Sequence, residues 1–418
     1  MYIFIRMKHV FSVQRALLPL LAFLLLFLSL CFSACRRTTV VAVKENELFS
    51  LNYGSFEDEL NLFALSTSGT VNTFLTMRDG FFYIANGEAK KILELNSYGD
   101  LLGLYYNDEV MKSSTFAEKS AANSAKKAFV YPFNTLGPIA VDTRKNLYAV
   151  DTLPKERQEI DSEKRLLLNH VVLRFASDGS FIDYLGQQGP GGTPFSFIKN
   201  IYVTQNDELV VVCTTNDGPI VYWFGTNGFL LYEVPITTAT VPPLEHEDDE
   251  GDFFISIENV VPDMQQRKLY LKIDYFQTML DPAVKVATGV EYSVTLLFPL
   301  DVTTGYYEQP LEIPPYEEAV PSLMGNAAYT VPYDLLGITD SGWLFFSVPT
   351  EKGYLIQMVQ SNGPRILKRQ LAIDHSEVLY YSLGLSNNGI ISALFAKRDH
   401  AEVAWWRTDS LIASVISK

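Results

Sequence analysis

Short apolar runs alternate with tight polar turns along most of the chain, and the pattern repeats. In the stretch IAVDTRKNLYAVDT, residues 139–152, two apolar runs flank Arg144, Lys145 and Asn146. Two strands joined by such a short polar turn form a β-hairpin. The same layout recurs at five other turns: Asp79-Gly80, Asn206-Asp207, Gln265 to Lys268, Asp340 to Gly342 and Asn387 to Gly389. Six hairpins of one kind predict a repeat architecture.

A second hairpin follows each of these six, so that every unit has four strands. The predicted third strands include KKILELN, HVVLRFAS and PIVYWFGT, and the last predicted fourth strand is LIASVI, residues 411–416. Six radial sheets of four strands form a propeller, which leaves only short sheet edges free. The sequence therefore predicts an all-β protein, a six-bladed β-propeller of four-stranded antiparallel blades. The blades are expected at about 71–106, 138–186, 197–235, 254–313, 333–373 and 377–418.

The N-terminal segment has a different composition and indicates export. Basic residues precede the apolar run ALLPLLAFLLLFLSLCF, as in a secretory signal peptide. The run is shorter than the roughly 20 residues of a membrane-spanning helix, which is the alternative interpretation. The following FSAC resembles a bacterial lipobox, with Ser33 and Ala34 at the small positions, although Phe32 replaces the commoner Leu. This resemblance implies a cleaved signal peptide at 1–34, acylation of Cys35, a lipid-anchored tether and lead-in at 35–70, and the propeller at 71–418.

Two units also resemble NHL repeats. GPIAVDTRKNLYAVDT is similar to the NHL strand, Asp, turn and Asn-Leu-Tyr strand, and GQQGPGGTPFSFIKNIYV is similar to the Gly-rich connector between blades. The segment MRDGFFYIANGEAKKILELNSYGDLLGLYYN, with EDELNLF upstream, resembles a family of uncharacterised spirochaetal lipoproteins. These resemblances imply a propeller on an exported lipoprotein, and they imply no particular activity.

The charge balance narrows the choice of partners. The 418 residues include 33 Lys and Arg against 48 Asp and Glu, which gives a formal charge of -15. Removal of 1–34 takes away three basic residues and no acidic one, so the charge falls from -15 to -18. Such a surface argues against nucleic acid and against attraction to anionic lipid, since both require clustered cations. With Cys35 acylated and Cys31 removed, Cys213 is the only thiol left, and within ELVVVCTT it is expected to be a core residue.

Loop lengths differ between the two faces of the predicted propeller. The first-to-second and third-to-fourth turns share one face and are short; we call it the tight-turn face. Second-to-third loops and blade connections share the other, the long-loop face, and include 107–137, 153–169, 187–196, 236–253, 274–290 and 314–332. The first of these contains the one predicted helix, STFAEKSAANSAKKAF at 114–129, which is rich in Ala, Lys and Glu. Neutral drift would lengthen loops on both faces, and long loops on a rigid scaffold usually carry recognition, so the long-loop face is the predicted docking surface.

One long loop carries the densest group of candidate ligands. Within PPLEHEDDEGD, the carboxylates are those of Glu245, Glu247, Asp248, Asp249, Glu250 and Asp252. Ca²⁺ takes six to eight oxygen ligands of this kind, but the alternating spacing of an EF-hand loop is absent. A solvated acidic loop that contacts a partner is therefore the favoured interpretation, and a Ca²⁺ site is the alternative. No other metal and no cofactor is expected, since the histidines are scattered and lack zinc-ligand spacing.

The remaining candidates for catalysis are few. The chain has no Gly-x-Ser-x-Gly elbow, no Ser-x-x-Lys motif and no P-loop. His170 begins a third strand, and the predicted first strands bring only Asp142, Glu258 and Asp334 to the hub. The sequence therefore favours a non-enzymatic binding or scaffold module of the bacterial cell envelope, anchored by its lipid on the periplasmic face or cell surface. It would dock an envelope protein or a glycan through the long-loop face; the alternative is a propeller hydrolase or lyase with its site at the channel mouth.

Overall fold

Six sheets, antiparallel except for one parallel strand pair in blade one, make up the described fold, with two small hairpins beside them. A computed structural model describes residues 40–62, 72–110, 127–244, 253–281, 284, 286–322, 325–363, 365–374 and 376–416. Residues 42–418 form one compact unit. The strands, in chain order, begin with β1 (Val41–Val43) and β2 (Glu45–Asn52), which precede the first blade.

The first three blades follow one another along the chain. Blade one contains β3 (Thr73–Arg78), β4 (Phe81–Asn86), β5 (Lys91–Leu95), β6 (Leu101–Tyr106) and β7 (Lys127–Val130). Blade two contains β8 (Leu136–Val141), β9 (Leu147–Thr152), β12 (His170–Phe175), β13 (Phe181–Gly186) and β14 (Gly189–Pro190). Between β9 and β12 lie a 3₁₀ helix (Lys155–Arg157) and a small hairpin of β10 (Glu159–Asp161) and β11 (Leu166–Leu168). Blade three contains β15 (Phe197–Val203), β16 (Leu209–Thr214), β17 (Pro219–Phe224) and β18 (Leu230–Pro235).

The last three blades complete the circle. Blade four contains β19 (Phe253–Pro262), β20 (Lys268–Leu280), β21 (Ala287–Asp301) and β22 (Leu311–Glu312). A second small hairpin, β23 (Tyr316–Ser322) and β24 (Gly325–Val331), leads into the next blade. Blade five contains β25 (Asp334–Ile338), β26 (Trp343–Thr350), β27 (Gly353–Gln360) and β28 (Ile366–Ala372), and β1 extends its outer edge. Blade six contains β29 (Tyr380–Leu385), β30 (Ile391–Ala396), β31 (His400–Trp406) and β2, and the helix α1 (Thr408–Ile416) follows it.

The hydrophobic core is divided into six clusters, one between each pair of neighbouring blades. Alternate residues of a strand point to opposite faces of its sheet, so each blade contributes to two clusters. Cys213 is fully buried in the cluster between blades two and three, as the sequence predicts, and burial raises the pKa of its thiol. The all-β six-bladed propeller is therefore confirmed, with blades of four or five strands in place of the predicted four.

The prediction for the sixth blade is wrong in its last strand. LIASVI was expected to be the fourth strand, but residues 408–416 form the helix α1. The fourth position is taken by β2, which pairs antiparallel with β31 from Glu45↔Trp406 to Asn52↔His400. Because β2 occupies the sheet edge, the C-terminal tail has no strand to join, and Ile412 packs instead into the cluster between blades five and six. The propeller is closed by pairing of its N-terminal and C-terminal strands.

The predicted helix at 114–129 is also wrong at its C-terminal end. Residues 127–130 are the strand β7, which pairs in parallel with β6. Residues 114–126 of that prediction lie outside the described residues. Among the residues that are described, no helix has the length and apolar character that a membrane crossing requires.

The two faces differ as their loop lengths predict. The hairpins β10–β11 and β23–β24 lie in a second-to-third loop and a blade connection, and both therefore stand on the long-loop face. The β20–β21 hairpin extends on the same side, with paired residues as far as Leu280↔Ala287. Three structured projections therefore stand on one face.

Candidate functional site

The first strands surround a cavity of about 220 Å³ on the propeller axis. Its lining is mostly apolar side chains and backbone, with Arg78, Asn200 and Asn387 among the polar members. At the tight-turn end, hydrogen bonds join the turns of different blades. The Gln265 side chain donates to the Asp340 carbonyl (2.7 Å), and the Asp340 backbone donates to the Asn387 carbonyl (2.7 Å). These bonds join the turns of blades four, five and six on the tight-turn face.

A polar groove of about 300 Å³ lies between blades three and four. Part of its lining is the second-to-third turn of blade three, residues 214–219, so the groove opens on the long-loop face. The exposed Lys199 donates from Nζ to the carbonyl oxygen of Glu258 (2.8 Å) and thereby joins the two first strands. The Ser256 hydroxyl donates to the Glu258 carboxylate (2.5 Å). The groove therefore offers an ammonium, a carboxylate and several hydroxyl and amide groups to a ligand.

β-Bulges place these two charged residues. In β15 the pairing register shifts between Ile198 and Asn200, and in β19 it shifts between Ile257 and Asn259. Lys199 and Glu258 are the extra residues at these shifts. A bulge re-aims one side chain out of the alternating pattern, and bulges are frequent beside functional sites. Both side chains consequently reach solvent although their neighbours Ile198 and Val260 are buried.

A buried ion pair lies in blade four. Lys272 Nζ is 2.6 Å from Asp274 Oδ2, and the two side chains are 2% and 3% exposed. The Thr295 hydroxyl donates to the other Asp274 oxygen (2.6 Å), and the Tyr292 hydroxyl donates to Thr295 (3.0 Å). The pair lies directly behind the groove, because Lys272 is opposite Asn259 and Asp274 opposite Ser256 across the β19–β20 ladder. Such a pair persists only where further hydrogen bonds satisfy its charges.

Asp334 completes an electrostatic cluster at this position. Its side chain reaches solvent, yet the surrounding protein removes enough water to raise its pKa. Lys272 opposes that rise, the charges of Glu258 and Asp274 add to it, and Lys199 again opposes it. Blades three, four and five therefore contribute charges to one region on the long-loop side of the hub. We call these five residues the hub cluster: Lys199, Glu258, Lys272, Asp274 and Asp334.

The first-strand carboxylates predicted for the hub divide into two groups. Glu258 and Asp334 belong to the hub cluster. Asp142 does not, because it is fully buried in the first turn of blade two, where its carboxylate accepts hydrogen bonds from the backbone of Arg144 (2.9 Å) and Asn146 (2.7 Å). Asp142 therefore holds a turn on the tight-turn face.

His170 is a half-buried residue of blade two. Burial lowers the pKa of its imidazole, and its ring lies edge-on to Phe197 with centroids 5.5 Å apart. Its Nδ1 has no hydrogen-bond partner among the described residues. A histidine packed against an aromatic ring, three blades from Asp334, is not positioned to act with the hub cluster.

The other predicted site residues lie outside the described residues. They are Cys35 and the carboxylates of Glu245, Glu247, Asp248, Asp249, Glu250 and Asp252. In sequence the acidic run joins β18 of blade three to β19 of blade four, the two blades that flank the groove. Within the described part of the chain, no group of three or more His, Cys, Asp or Glu residues is arranged to hold a metal ion.

Sequence reasoning missed the groove and the buried ion pair. Lys272 and Asp274 interrupt the apolar run LYLKIDYF of a second strand, and two opposite charges in a buried strand were a signal for a pair. The bulges had only a weak signal, an extra residue in the alternation of FIKNIYV and of ISIENVV.

Comparisons with known proteins assign no family to the chain. No protein family and no curated protein matches the chain. The chain is similar to a solved structure of Kuenenia stuttgartiensis hydrazine synthase, at 9% identity and a TM-score of 0.37, over 80% of this chain and 96% of the other. It is also similar to a gluconolactonase of Xanthomonas campestris, at 10% identity and a TM-score of 0.37, over 88% and 97%. A polysaccharide lyase that degrades ulvan is similar at 11% identity and a TM-score of 0.36, over 87% and 83%.

Proposed function

We propose that the protein is a lipid-anchored binding module of the bacterial cell envelope. It docks a protein or glycan partner through the long-loop face and is not an enzyme. One observation carries the proposal: the three projecting hairpins, the polar groove and the hub cluster all lie on one face. A rigid disc that gathers its variable and charged elements on one face has the layout of a recognition scaffold.

The small hairpin of blade two offers apolar contacts to a protein partner. Ile160 and Leu167 are directly paired across β10 and β11, and 74% and 49% of these side chains are exposed. Met279 and Val290, near the tip of the β20–β21 hairpin, are exposed in the same way. Exposed apolar side chains on projecting elements are typical contact residues, because their burial drives association.

The groove suits a polar ligand such as a glycan. Lys199, Ser256 and Glu258 line it, together with Asn216 and Asp217 from the turn of blade three. Hydroxyl, amide and charged groups in a concave site can replace the water that hydrates a sugar. The acidic loop 245–252 joins the same two blades and would extend this surface.

Crosslinking on intact cells tests the docking face. The double variant Ile160→Ser/Leu167→Ser and a variant with 245–252 shortened would be compared with the wild type after crosslinking, detergent extraction and mass spectrometry. The matched control is Ile182→Ser, which changes a half-exposed isoleucine on the outer strand of blade two. We expect one recurrent partner that is lost with the long-loop variants and kept with the control. A partner lost equally with Ile182→Ser would contradict the docking face.

Lipid anchoring is tested separately. The sequence FSAC and Cys35 support it. Metabolic labelling with a fatty acid should label the wild type, whereas Cys35→Ser should abolish the label and leave the precursor uncleaved. Labelling that persists in Cys35→Ser would contradict the anchor.

A propeller hydrolase or lyase is the second candidate, and one observation favours it. Glu258 and Asp334 bring two carboxylates close enough to shift a pKa, and Asp334 has the raised pKa that a general acid requires. The purified protein would be screened on envelope glycans together with Asp334→Asn and Glu258→Gln. Turnover that either substitution abolishes would establish the enzyme and reject the binding module.

A further inference from the structure

The polypeptide enters the propeller at the tight-turn face. β2 runs from Glu45, opposite Trp406, to Asn52, opposite His400. Trp406 ends the third strand of blade six, so it lies at the tight-turn end, and Asn52 lies at the long-loop end. Cys35 is ten positions before Glu45. Ten extended residues span at most about 36 Å, so an acylated Cys35 would keep this face close to the bilayer.

The same face carries a ring of exposed apolar side chains. They lie in or just after the third-to-fourth turns of blades one to five: Tyr98 (83% exposed), Phe181 (44%), Phe229 (59%), Tyr306 (76%) and Ile366 (48%). Blade six has no such turn, because its fourth position is taken by β2, which follows β1 and begins at Glu45. The rim of the tight-turn face therefore bears an apolar residue on five blades and the anchored chain on the sixth.

Local hydrogen bonds hold these residues in place. The Asn96 side chain accepts from the backbone N–H of Tyr98 (2.9 Å), and the Asn227 side chain accepts from that of Phe229 (3.1 Å). The turn before Tyr306 is held by Asp301, whose carboxylate accepts from the backbone of two threonines. Asx turns of this kind fix the backbone, and the ring residues extend outward from rigid positions.

We propose that the tight-turn face lies on the lipid bilayer that holds the Cys35 anchor, with these five side chains in the interfacial zone. The inference rests on the proposed lipidation. Tyr and other aromatic side chains favour the membrane interface, because they combine apolar area with a polar edge or contact to headgroups. A lipid chain anchors a protein stably when a second membrane-binding feature accompanies it, and the ring supplies that feature.

An acidic run lies on the side opposite the ring. Residues 57–59 belong to a blade connection on the long-loop face. The charge of this run is therefore kept away from lipid headgroups, which are neutral or anionic, whereas the carboxylates of Asp178 and Asp301 beside the ring accept hydrogen bonds within their own turns. The orientation also directs the hairpins and the groove away from the membrane, toward the compartment where a partner would meet them.

Fluorescence quenching in vesicles tests the orientation. The full acylated protein would be reconstituted in phosphatidylcholine vesicles that contain a spin-labelled lipid. An environment-sensitive fluorophore would be attached to Tyr98→Cys or Tyr306→Cys, with Ile160→Cys on the long-loop face as the matched control. The buried Cys213 and the acylated Cys35 would not react. We expect several-fold stronger quenching at the two ring positions than at the control position.

Flotation of the same vesicles separates the two proposals. Protein that does not float with the vesicles would overturn the anchor and, with it, the orientation. Protein that floats but is quenched equally at all three positions would overturn the orientation alone. Photo-crosslinking at Tyr98 in intact cells that captures one protein, without quenching in vesicles, would assign the ring to a protein partner and reject the bilayer.

Discussion

The two faces of this propeller differ in how fully their charged groups are buried. On the tight-turn face, short turns bond to their neighbours, and a buried carboxylate such as that of Asp142 is saturated by backbone N–H groups. Below the long-loop face, charged side chains are buried. They are the Lys272–Asp274 pair and Lys91, whose Nζ donates to the Phe56 carbonyl (2.5 Å). Ion pairs on the tight-turn face, such as Arg267–Glu208 and Lys268–Glu308, keep one partner largely in solvent, whereas both side chains of the Lys272–Asp274 pair are buried.

This difference indicates that the residues near the long-loop face are selected for something other than stability. Apolar residues in place of a buried ion pair are often neutral or stabilising, so the pair is poorly explained as a device for folding. Local departures from the most stable choice concentrate at functional sites. The charges lie across the β19–β20 ladder from residues that line the groove.

Loss of Lys272 should have the largest effect on stability. Lys272→Met leaves Asp274 buried without its partner, and breaking a buried pair in this way costs about 3–5 kcal/mol. Chemical denaturation monitored by tryptophan fluorescence measures the change. The double variant Lys272→Met/Asp274→Leu should recover most of the loss, because no charge then remains unpaired.

The surface pair of Lys268 and Glu308 provides the control for that comparison. Lys268 Nζ is 2.7 Å from the Glu308 carboxylate, which is 49% exposed. A solvated pair contributes about 0–1 kcal/mol, so Lys268→Met should be nearly neutral. If the two lysine variants lost equal stability, burial of the Lys272–Asp274 pair would make no difference to its contribution, and the proposed difference between the two faces would be wrong.

Lys91 should make the stability of the wild type depend on alkaline pH. Burial lowers the pKa of Lys91 from 10.5 to about 8, and the charges of Glu59, Asp58 and Glu57 oppose that shift. Between pH 8 and 10.5 the unfolded chain binds more protons at this site than the folded protein, so folding becomes more favourable as pH rises. The gain should be about 3 kcal/mol across that window and should be fully lost below pH 8.

Lys91→Met isolates that contribution from other groups that titrate in the same range. The unfolding free energy of the wild type minus that of the variant should increase by about 3 kcal/mol as pH rises from 8 to 10.5. A difference that stays constant across this window would show that Lys91 keeps its ordinary pKa, and that loop 53–60 does not exclude water from it.

Asp142→Ala tests the tight-turn side of the comparison. The substitution leaves the backbone N–H groups of Arg144 and Asn146 without their acceptor, which costs about 2 kcal/mol. The exposed turn at Asp178, where the carboxylate bonds only to Ser180, is the matched control, and Asp178→Ala should have a smaller effect. Equal losses would mean that burial of the Asp142 turn adds nothing.

The sequence predicts the blades better than the site because blades depend on local pattern. The turn at Asp142 and the apolar runs around it determine a hairpin wherever it lies in the chain. The strand β2 and the helix α1 were not predicted, since an apolar, β-branched tail such as LIASVI becomes a strand only if a sheet edge is free. The pairing of Glu45 with Trp406 joins the two ends of the chain, and no local pattern shows it.

The groove illustrates the same limit at the level of single side chains. Lys199 and Glu258 are 59 positions apart, and each reaches the groove because a one-residue bulge turns it. A bulge is set by the partner strand as much as by its own sequence. The sequence shows only that Glu258 and Asp334 both belong to first strands. It does not show that the charge of Glu258 helps to raise the pKa of Asp334.

The smallest expected effect tests whether the hub cluster acts as one electrostatic unit. Burial raises the pKa of Asp334; Lys272 opposes the shift, Glu258 and Asp274 increase it, and Lys199 opposes it. Glu258→Gln should therefore lower the Asp334 pKa, and Lys199→Ala should raise it, with little change in overall stability. Titration of the Asp334 carboxyl carbon by NMR measures both shifts. Opposite shifts from two exposed residues on different blades would show that the long-loop side of the hub has one shared potential, whereas two unchanged titrations would reduce the cluster to separate surface charges.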